Sequence, residues 1–399
     1  MNRRQLLLRA AALSAAATPA LANPALANPA HAAPAHAGRP ASASPPAAPP
    51  HAAADRLPPR AEIREALTRA ADHWIAAHTD PGDNEWARAT FFSGLMALHR
   101  ATGAPRHLAY ARSWAEKHGY ALHNGVTTRH ADDHNAGQTY LDLYEAEGSR
   151  DEAKIAAIEE SLHRMTFTDR PDKNDDWWWD DALHMAMPPF ARLSVLRDEP
   201  AYAEKLHRLC THTKSAQGGP GLLDRESGLW YRDDRFLPGG IVSPGGEPVL
   251  WSRGNGWVGA GHAKTLGALP ADSPHAAEYR ATLVRLLEAL RRVQRPDGFW
   301  NVSLADAAHL PGPETSGTAF FAYSTAYALR TGLVPSSYAP VAARAWSALT
   351  STALHTDGFL GYVQGVGDRP ESSQPITPET TADFGVGAFL LAGTELLKL

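Results

Sequence analysis

The chain is nearly without cysteine. Cys210 is its single thiol in 399 residues, so no internal disulfide can form and packing alone must stabilise the fold. No Cys/His spacing of the kind that holds zinc occurs, and no metal or other cofactor is expected. Basic charge is short as well. The chain has 38 Lys and Arg against 43 Asp and Glu, and the first 58 residues contain five of those Arg and one of those Asp. The rest of the chain holds 33 basic and 42 acidic residues, a net charge of −9. That balance excludes nucleic acid as an expected partner. It also gives no long-range attraction for an anion, so a few local Arg must hold any anionic ligand. No segment is long and apolar enough to cross a membrane, and no membrane partner is expected. Alternating strand-like runs are scarce, with short candidates only near 228–232 and 299–304.

The start of the chain reads as an export leader over 1–22. Arg3 and Arg4 precede Leu6, Leu7 and Leu8, an Ala-rich apolar run comes next, and the small residues Ala20-Leu21-Ala22 close it. The Arg pair before Leu resembles a twin-arginine signal, with periplasmic or secreted delivery as the expectation. Residues 23–58 are almost all Ala, Pro, His and Ser, a composition that cannot bury a core and reads as a disordered linker.

From residue 59 to 399 the pattern is helical. Ile63, Ala66, Leu67, Ala70, Trp74 and Ile75 keep the 3, 4 spacing of one helix face. Eleven more segments share this character: 86–101, 105–118, 136–147, 151–164, 181–197, 199–213, 255–268, 274–293, 316–331, 337–350 and 383–397. Gly103 and Gly119 stand where C-terminal caps belong. Twelve helices with few strands predict an all-α domain of six hairpins, suited to a closed α/α toroid whose long loops line one face.

Tryptophan is abundant, and seven of the eleven fall in one third of the chain: Trp177, Trp178, Trp179, Trp230, Trp251, Trp257 and Trp300. Flat aromatic faces suit sugar rings, and they suit a core equally well. Acids gather in two places. His130-Ala131-Asp132-Asp133-His134 precedes an apolar run, where a carboxylate can cap a helix or share an ion with imidazole. Asp175 and Asp176, then Trp177, Trp178 and Trp179, then Asp180 and Asp181 form the second. Apolar walls and neighbouring like charge both favour a protonated carboxyl there, as a general acid requires. Capping beside an aromatic plug is the bland alternative. A third string, Trp251-Ser252-Arg253-Gly254-Asn255-Gly256-Trp257, reads as a tight turn presenting a forked cation and a stacking face. The turns at 228–235, 296–300 and 314–318 add acids, aromatics and Arg232.

Four ordered strings resemble glycoside hydrolase family 105, the unsaturated rhamnogalacturonyl hydrolases, and its neighbour family 88, the unsaturated glucuronyl hydrolases. They are Asp132-Asp133-His134 with Gly137-Gln138-Thr139-Tyr140, Trp178-Trp179-Asp180-Asp181-Ala182-Leu183, Trp251 through Trp257, and Glu314-Thr315-Ser316-Gly317-Thr318. The likeness runs from about residue 61 to the end. It implies an (α/α)6 barrel and removal of a terminal 4,5-unsaturated uronic acid from an oligosaccharide made by a lyase. It also implies a mechanism unlike the two-carboxylate glycosidase scheme. One Asp protonates C4 of the vinyl ether, and water activated by the same group adds at C5. Asp181 matches that Asp. The second family Asp corresponds to Asp132 or Asp133, the spacing to Gly137 favouring Asp132. Candidate substrate contacts are Asp133, His134, Trp179, Arg232, Arg253, Trp257 and Trp300. The chain departs from the family at Arg232, where some members carry His, and at His184, where a large apolar residue is usual. Residue chemistry by itself also admits a conventional glycosidase acting on saturated uronides, or a non-catalytic sugar-binding protein.

Overall fold

The computed structural model describes residues 54–148 and 151–399. The leader expected at 1–22 and all but the last few residues of the linker expected at 23–58 lie outside the described residues. Among the described residues twelve α-helices succeed one another. They are α1 (Arg60–Ala77), α2 (Trp86–Thr102), α3 (Pro105–Lys117), α4 (Ala131–Ala146), α5 (Ala156–His163) and α6 (Ala182–Leu196). The second half has α7 (Pro200–Ser215), α8 (Ser252–Ala268), α9 (Ala276–Val293), α10 (Thr315–Arg330), α11 (Ala339–Ala348) and α12 (Asp383–Leu396).

The even-numbered helices pack each on the next, and α12 closes back on α2, giving an inner ring. The odd-numbered helices pack outside it. This is the six-hairpin toroid. Among the described residues no strand forms. The two short runs expected as strands contribute only single bridges, Leu223 with Trp230 and Trp251 with Ser303. Each is too short to continue a ladder between loops that are otherwise held by side chains.

Sequence explains which ring a helix joins. In α9 the buried residues Ala276, Tyr279, Leu283, Leu286, Leu287 and Leu290 form one stripe, and the other face is charged. In α8 and α10 nearly every residue is buried, because each is covered on one side by the outer ring and on the other by the barrel axis. Close approach between inner helices needs missing side chains. A Cβ on Gly94 of α2 would stand 2.4 Å from the Gly387 carbonyl oxygen of α12, and one on Gly387 would stand 2.3 Å from that of Thr90.

The axis is polar, and it compensates for a break in α6. Pro188 and Pro189 lie inside that helix and have no N–H to give. Their would-be acceptors are the carbonyls of His184 and Met185. Gln138 of α4 supplies the missing donor, with Nε2 at 2.8 Å from His184 O and 3.4 Å from Met185 O. The short connections join even helices to the odd ones after them, while the long loops lead into the even helices. The six inner N-termini therefore share one mouth, where their dipoles favour negative charge. The six C-termini share the other. There a cavity of about 460 Å³ is lined by Arg100, Asp142, Arg192, Lys264 and Glu395, among others. Cations are expected where six carbonyl ends converge.

Candidate active site

Helix α4 begins at Ala131, five residues earlier than its apolar pattern suggests. The acidic cluster is therefore on the helix, in its first turn. Asp132 keeps 26% of its side chain exposed toward the mouth. Burial, and then the charge of Asp181, push its carboxyl up to about 8. Asp133 is turned to the loop before α4. It is buried and accepts from Asn124 Nδ2 at 3.0 and 3.1 Å and from Thr128 Oγ1 at 2.5 Å. Those bonds tie the loop before α4 to its first turn. His134 is also buried, with Nε2 3.0 Å from Ser161 Oγ, and burial lowers its ring to about 4. Of the three neighbours, Asp132 is the one aligned with the Asp181 cluster.

The four acids of the tryptophan cluster separate just as clearly. Asp175 is on the surface beside Lys173. Asp176 is paired with Arg129, whose Nε and Nη2 reach it at 2.9 and 2.6 Å. Asp180 is fully buried. Asp181 stands immediately before α6, and its side chain caps nothing. Its Oδ2 lies 3.4 Å from Arg232 Nε. Arg232 is held in turn by Asp233 (Nη1 to Oδ2, 2.7 Å), and Asp233 also accepts from Arg235 Nε and Nη2, each at 2.8 Å. The backbone joins the two segments, since Asp180 N–H donates to the Arg232 carbonyl at 2.8 Å. This places a carboxyl, a second carboxyl and one guanidinium together at the positive ends of α4 and α6.

An aromatic rim adjoins them. Trp178 is 42% exposed, one of the few large apolar side chains at the surface. The Arg232 guanidinium lies 5.4 Å from its ring, and Trp179 packs against it at 4.6 Å. The His130 ring sits 4.6 Å from the Trp179 ring, and His130 Nδ1 is 3.8 Å from Asp132 Oδ2. Sequence reasoning does not single out His130 or Trp178 as contacts. Both stand beside residues that it does single out, His130 two positions before Asp132 and Trp178 next to Trp179.

The third string is a helix rather than a turn. Residues from Ser252 onward are α8, and Gly254 and Gly256 take helical geometry. Their use is close approach. A Cβ on Gly254 would come 2.5 Å from Asp180 Oδ2, and one on Gly256 3.0 Å from Phe320 Cβ. Arg253 is 2% exposed. Its Nη1 donates to Gly365 O at 2.7 Å and its Nη2 to Gly367 O at 2.9 Å. The guanidinium is flanked by the rings of Trp251, at 4.2 Å, and Phe384, at 5.0 Å. Arg253 thus anchors the loop before α12 instead of being displayed for a ligand. Arg253→Met is expected to destabilise the protein by about 2–4 kcal/mol, because two buried carbonyls lose charged donors. Urea unfolding of the two forms measures it.

Trp257 is packed among Phe320, His184, Trp86 and Phe384, at 4.3, 4.8, 6.0 and 6.0 Å. Trp300 is 1% exposed, donates Nε1–H to Leu290 O at 2.9 Å and meets Phe321. Both are core residues in this structure. So are Trp177, Trp179, Trp230 and Trp251, which leaves Trp178 as the one member of the seven that displays a face. His184 is wholly buried with neither ring nitrogen partnered, and burial holds the ring well below the usual histidine range. Glu314, in the fourth string, caps α10 by accepting from Ser316 N and Gly317 N at 2.6 and 2.7 Å. Among the described residues no three His, Cys, Asp or Glu side chains converge as metal ligands.

Comparison with known proteins agrees with this layout. A family model described as Glycosyl Hydrolase Family 88 matches residues 61–399. A relative from Formosa agariphila, named unsaturated 3S-rhamnoglycuronyl hydrolase, is 29% identical over 85% of this chain and 91% of its own. A solved family 88 structure from Bacteroides vulgatus is 33% identical, with a TM-score of 0.78, over 85% of this chain and 99% of its own. Another solved structure, named as a polysaccharide lyase, is 35% identical, with a TM-score of 0.77, over 85% of this chain and 97% of its own. The family match spans the whole barrel and every string that carried the resemblance, and the chain belongs to glycosyl hydrolase family 88, neighbour to the family 105 that its motifs also resemble.

Proposed function

We propose that the protein removes a terminal 4,5-unsaturated uronic acid from oligosaccharides produced by polysaccharide lyases. The observation that carries the reading is Asp181. It is an acid at a helix N-terminus, it caps nothing, and it faces one guanidinium and one carboxyl of raised proton affinity. A conventional glycosidase needs two carboxyls on opposite sides of the scissile bond. Here the charge of Asp181 helps to raise the Asp132 carboxyl, so the two acids act on each other at one mouth of the barrel, and one proton shared around Asp181 fits that arrangement.

In the proposed reaction Asp181 gives its proton to C4, and the positive charge that develops is shared between C5 and the ring oxygen. Asp181, now a carboxylate, takes a proton from water as that water adds to C5. The hemiketal opens to a ketone at C5, and the aglycone leaves from C1 with its own oxygen. Asp132 holds the proton balance of Asp181. Arg232 is the cation placed to meet the uronate, and Trp178 with His130 offers the flat rim for the adjoining sugar. Asp133, His134, Arg253, Trp257 and Trp300 act behind this surface, holding its walls. Export by the leader at 1–22 would place the enzyme where lyase products arise, in the periplasm or outside the cell. No helix among the described residues is long and apolar enough to cross a membrane.

A second reading has one observation in its favour, the 35% identical structure named as a lyase. The two differ in sign. A hydrolase of this type consumes the ultraviolet absorbance of an unsaturated disaccharide, whereas a lyase creates that absorbance from intact polysaccharide. A screen of unsaturated disaccharides from pectin, ulvan, arabinogalactan and glycosaminoglycans is expected to show loss of absorbance with at least one. A gain with an intact polysaccharide, and no loss with any disaccharide, would favour the lyase.

A further inference from the structure

Asp180 is sealed from solvent, and neither of its carboxyl oxygens meets a donor. The adjacent Asp181 has a buried Oδ1 that also lacks one. The two carboxyl groups lie within hydrogen-bonding reach of each other. Asp180 has no way out. Its backbone N–H is fixed to Arg232 O, Trp179 is bridged to Asp233, and α8 comes so close at Gly254 that any side chain there would strike Oδ2. Arg232 does not relieve the shortage in this geometry: its Nη1 donates to Asp233 Oδ2, and its Nε, itself without a hydrogen-bond partner, lies 3.4 Å from Asp181 Oδ2, the oxygen that is not among the three.

Three buried acceptor oxygens with no donor among them are untenable if both groups are ionised. One proton resolves the conflict. A neutral Asp180 has an O–H to give, and Asp181 Oδ1 is the acceptor beside it. Burial and the neighbouring charge both act to keep that proton on Asp180.

We infer that Asp180 is a positioning residue, a buried neutral acid whose O–H donates to Asp181 Oδ1 and steadies the carboxylate that Asp181 becomes when its proton moves to C4. This rests on the role proposed for Asp181. The bond exists before the reaction and strengthens as charge develops on Asp181, because a charged acceptor makes the stronger hydrogen bond. No atom of Asp180 is consumed. It keeps its proton throughout, and its effect appears in how readily Asp181 releases its own.

Two variants separate positioning from mere space-filling. Asp180→Asn keeps a donor of the same shape, and kcat is expected within about fivefold of the parent with an unmoved alkaline limb. Asp180→Leu fills the space without a donor. It is expected to lower kcat by about 10–100-fold with little change in KM. It should also move the alkaline limb of kcat up by about one pH unit, because an orphaned carboxylate holds a proton more tightly. Asp180→Leu with the parental pH profile would overturn the proposal, as would Asp180→Asn failing as badly as Asp180→Leu. Infrared spectra of the resting protein give a readout independent of turnover. The protonated-carboxyl band near neutral pH should lose intensity in Asp180→Asn relative to the parent, and identical spectra would contradict a neutral Asp180. Should the protein leave unsaturated uronides untouched, the functional reading falls, while the infrared comparison still decides where this proton resides.

Discussion

Replacing Asp181 with Asn is expected to lower kcat by about 10³-fold or more while changing KM by less than about fivefold. The carboxamide has the size and shape of the acid, and the side chain it replaces makes no helix cap. Folding should therefore be unaffected, and the melting temperature of the variant should stay close to that of the parent. What is lost is an acidic proton. An amide N–H cannot be delivered to carbon at C4, and the amide oxygen cannot take a proton from water. In the proposed reading Arg232 and the aromatic rim bind the sugar, and the substitution leaves them in place. A variant that keeps a tenth or more of parental kcat would remove Asp181 from the chemistry.

Asp132→Asn is expected to cost about 10²–10³-fold in kcat/KM near pH 7, for a different reason. Asp132 is protonated below about pH 8 because burial and the charge of Asp181 oppose its ionisation. The two carboxyls can then hold one proton between them, and the productive arrangement has it on Asp181. An Asn at 132 cannot accept the negative charge in exchange. Asp181 is then left beside Arg232 with no second carboxyl to share its proton. Residual activity should improve toward acid pH, so the alkaline limb moves down, opposite to the shift expected for Asp180→Leu.

Stability should change the other way. A carboxyl raised in the folded state contributes stability that is complete below its ordinary value near 4. That contribution is lost as pH rises through about 8. Above pH 8 the parent carries an unwelcome charge that Asp132→Asn lacks. The variant should then be more stable by on the order of 2 kcal/mol, the figure allowing for the solvent that Asp132 still meets. Thermal melts of both proteins at pH 5 and pH 9 check the sign. Equal melting temperatures at pH 9 would count against a raised Asp132.

The sequence pattern reveals the helices best where one face meets solvent. The stripe from Ala276 to Leu290 on α9 is readable because its other face is charged. It is less informative for the inner ring. The start of α4 holds His134 and Asn135, with Gln138 one turn on, buried polar residues bonded to neighbouring helices that carry no apolar period. Gly254 and Gly256 read as a turn from propensity, yet packing against Asp180 and Phe320 overrides it and makes them helical. The strings locate the site, but its neighbours in space are hidden. Arg253 and the carbonyls it holds are more than a hundred residues apart, and no local pattern joins them. Tryptophan content is the weakest guide, since Trp257 and Trp300 fill the core as any large apolar side chain would.

The claim that one acid hydrates a double bond is tested most directly by isotopes. The protein is incubated with an unsaturated uronyl disaccharide in D₂O, and separately in H₂¹⁸O, and the released uronate is examined by NMR and mass spectrometry. The account predicts deuterium at C4, ¹⁸O at C5, and an aglycone that keeps its unlabelled glycosidic oxygen, with all three absent in Asp181→Asn. Sugar release with the double bond intact and ¹⁸O at C1 would contradict it, because that is direct cleavage of the glycosidic bond.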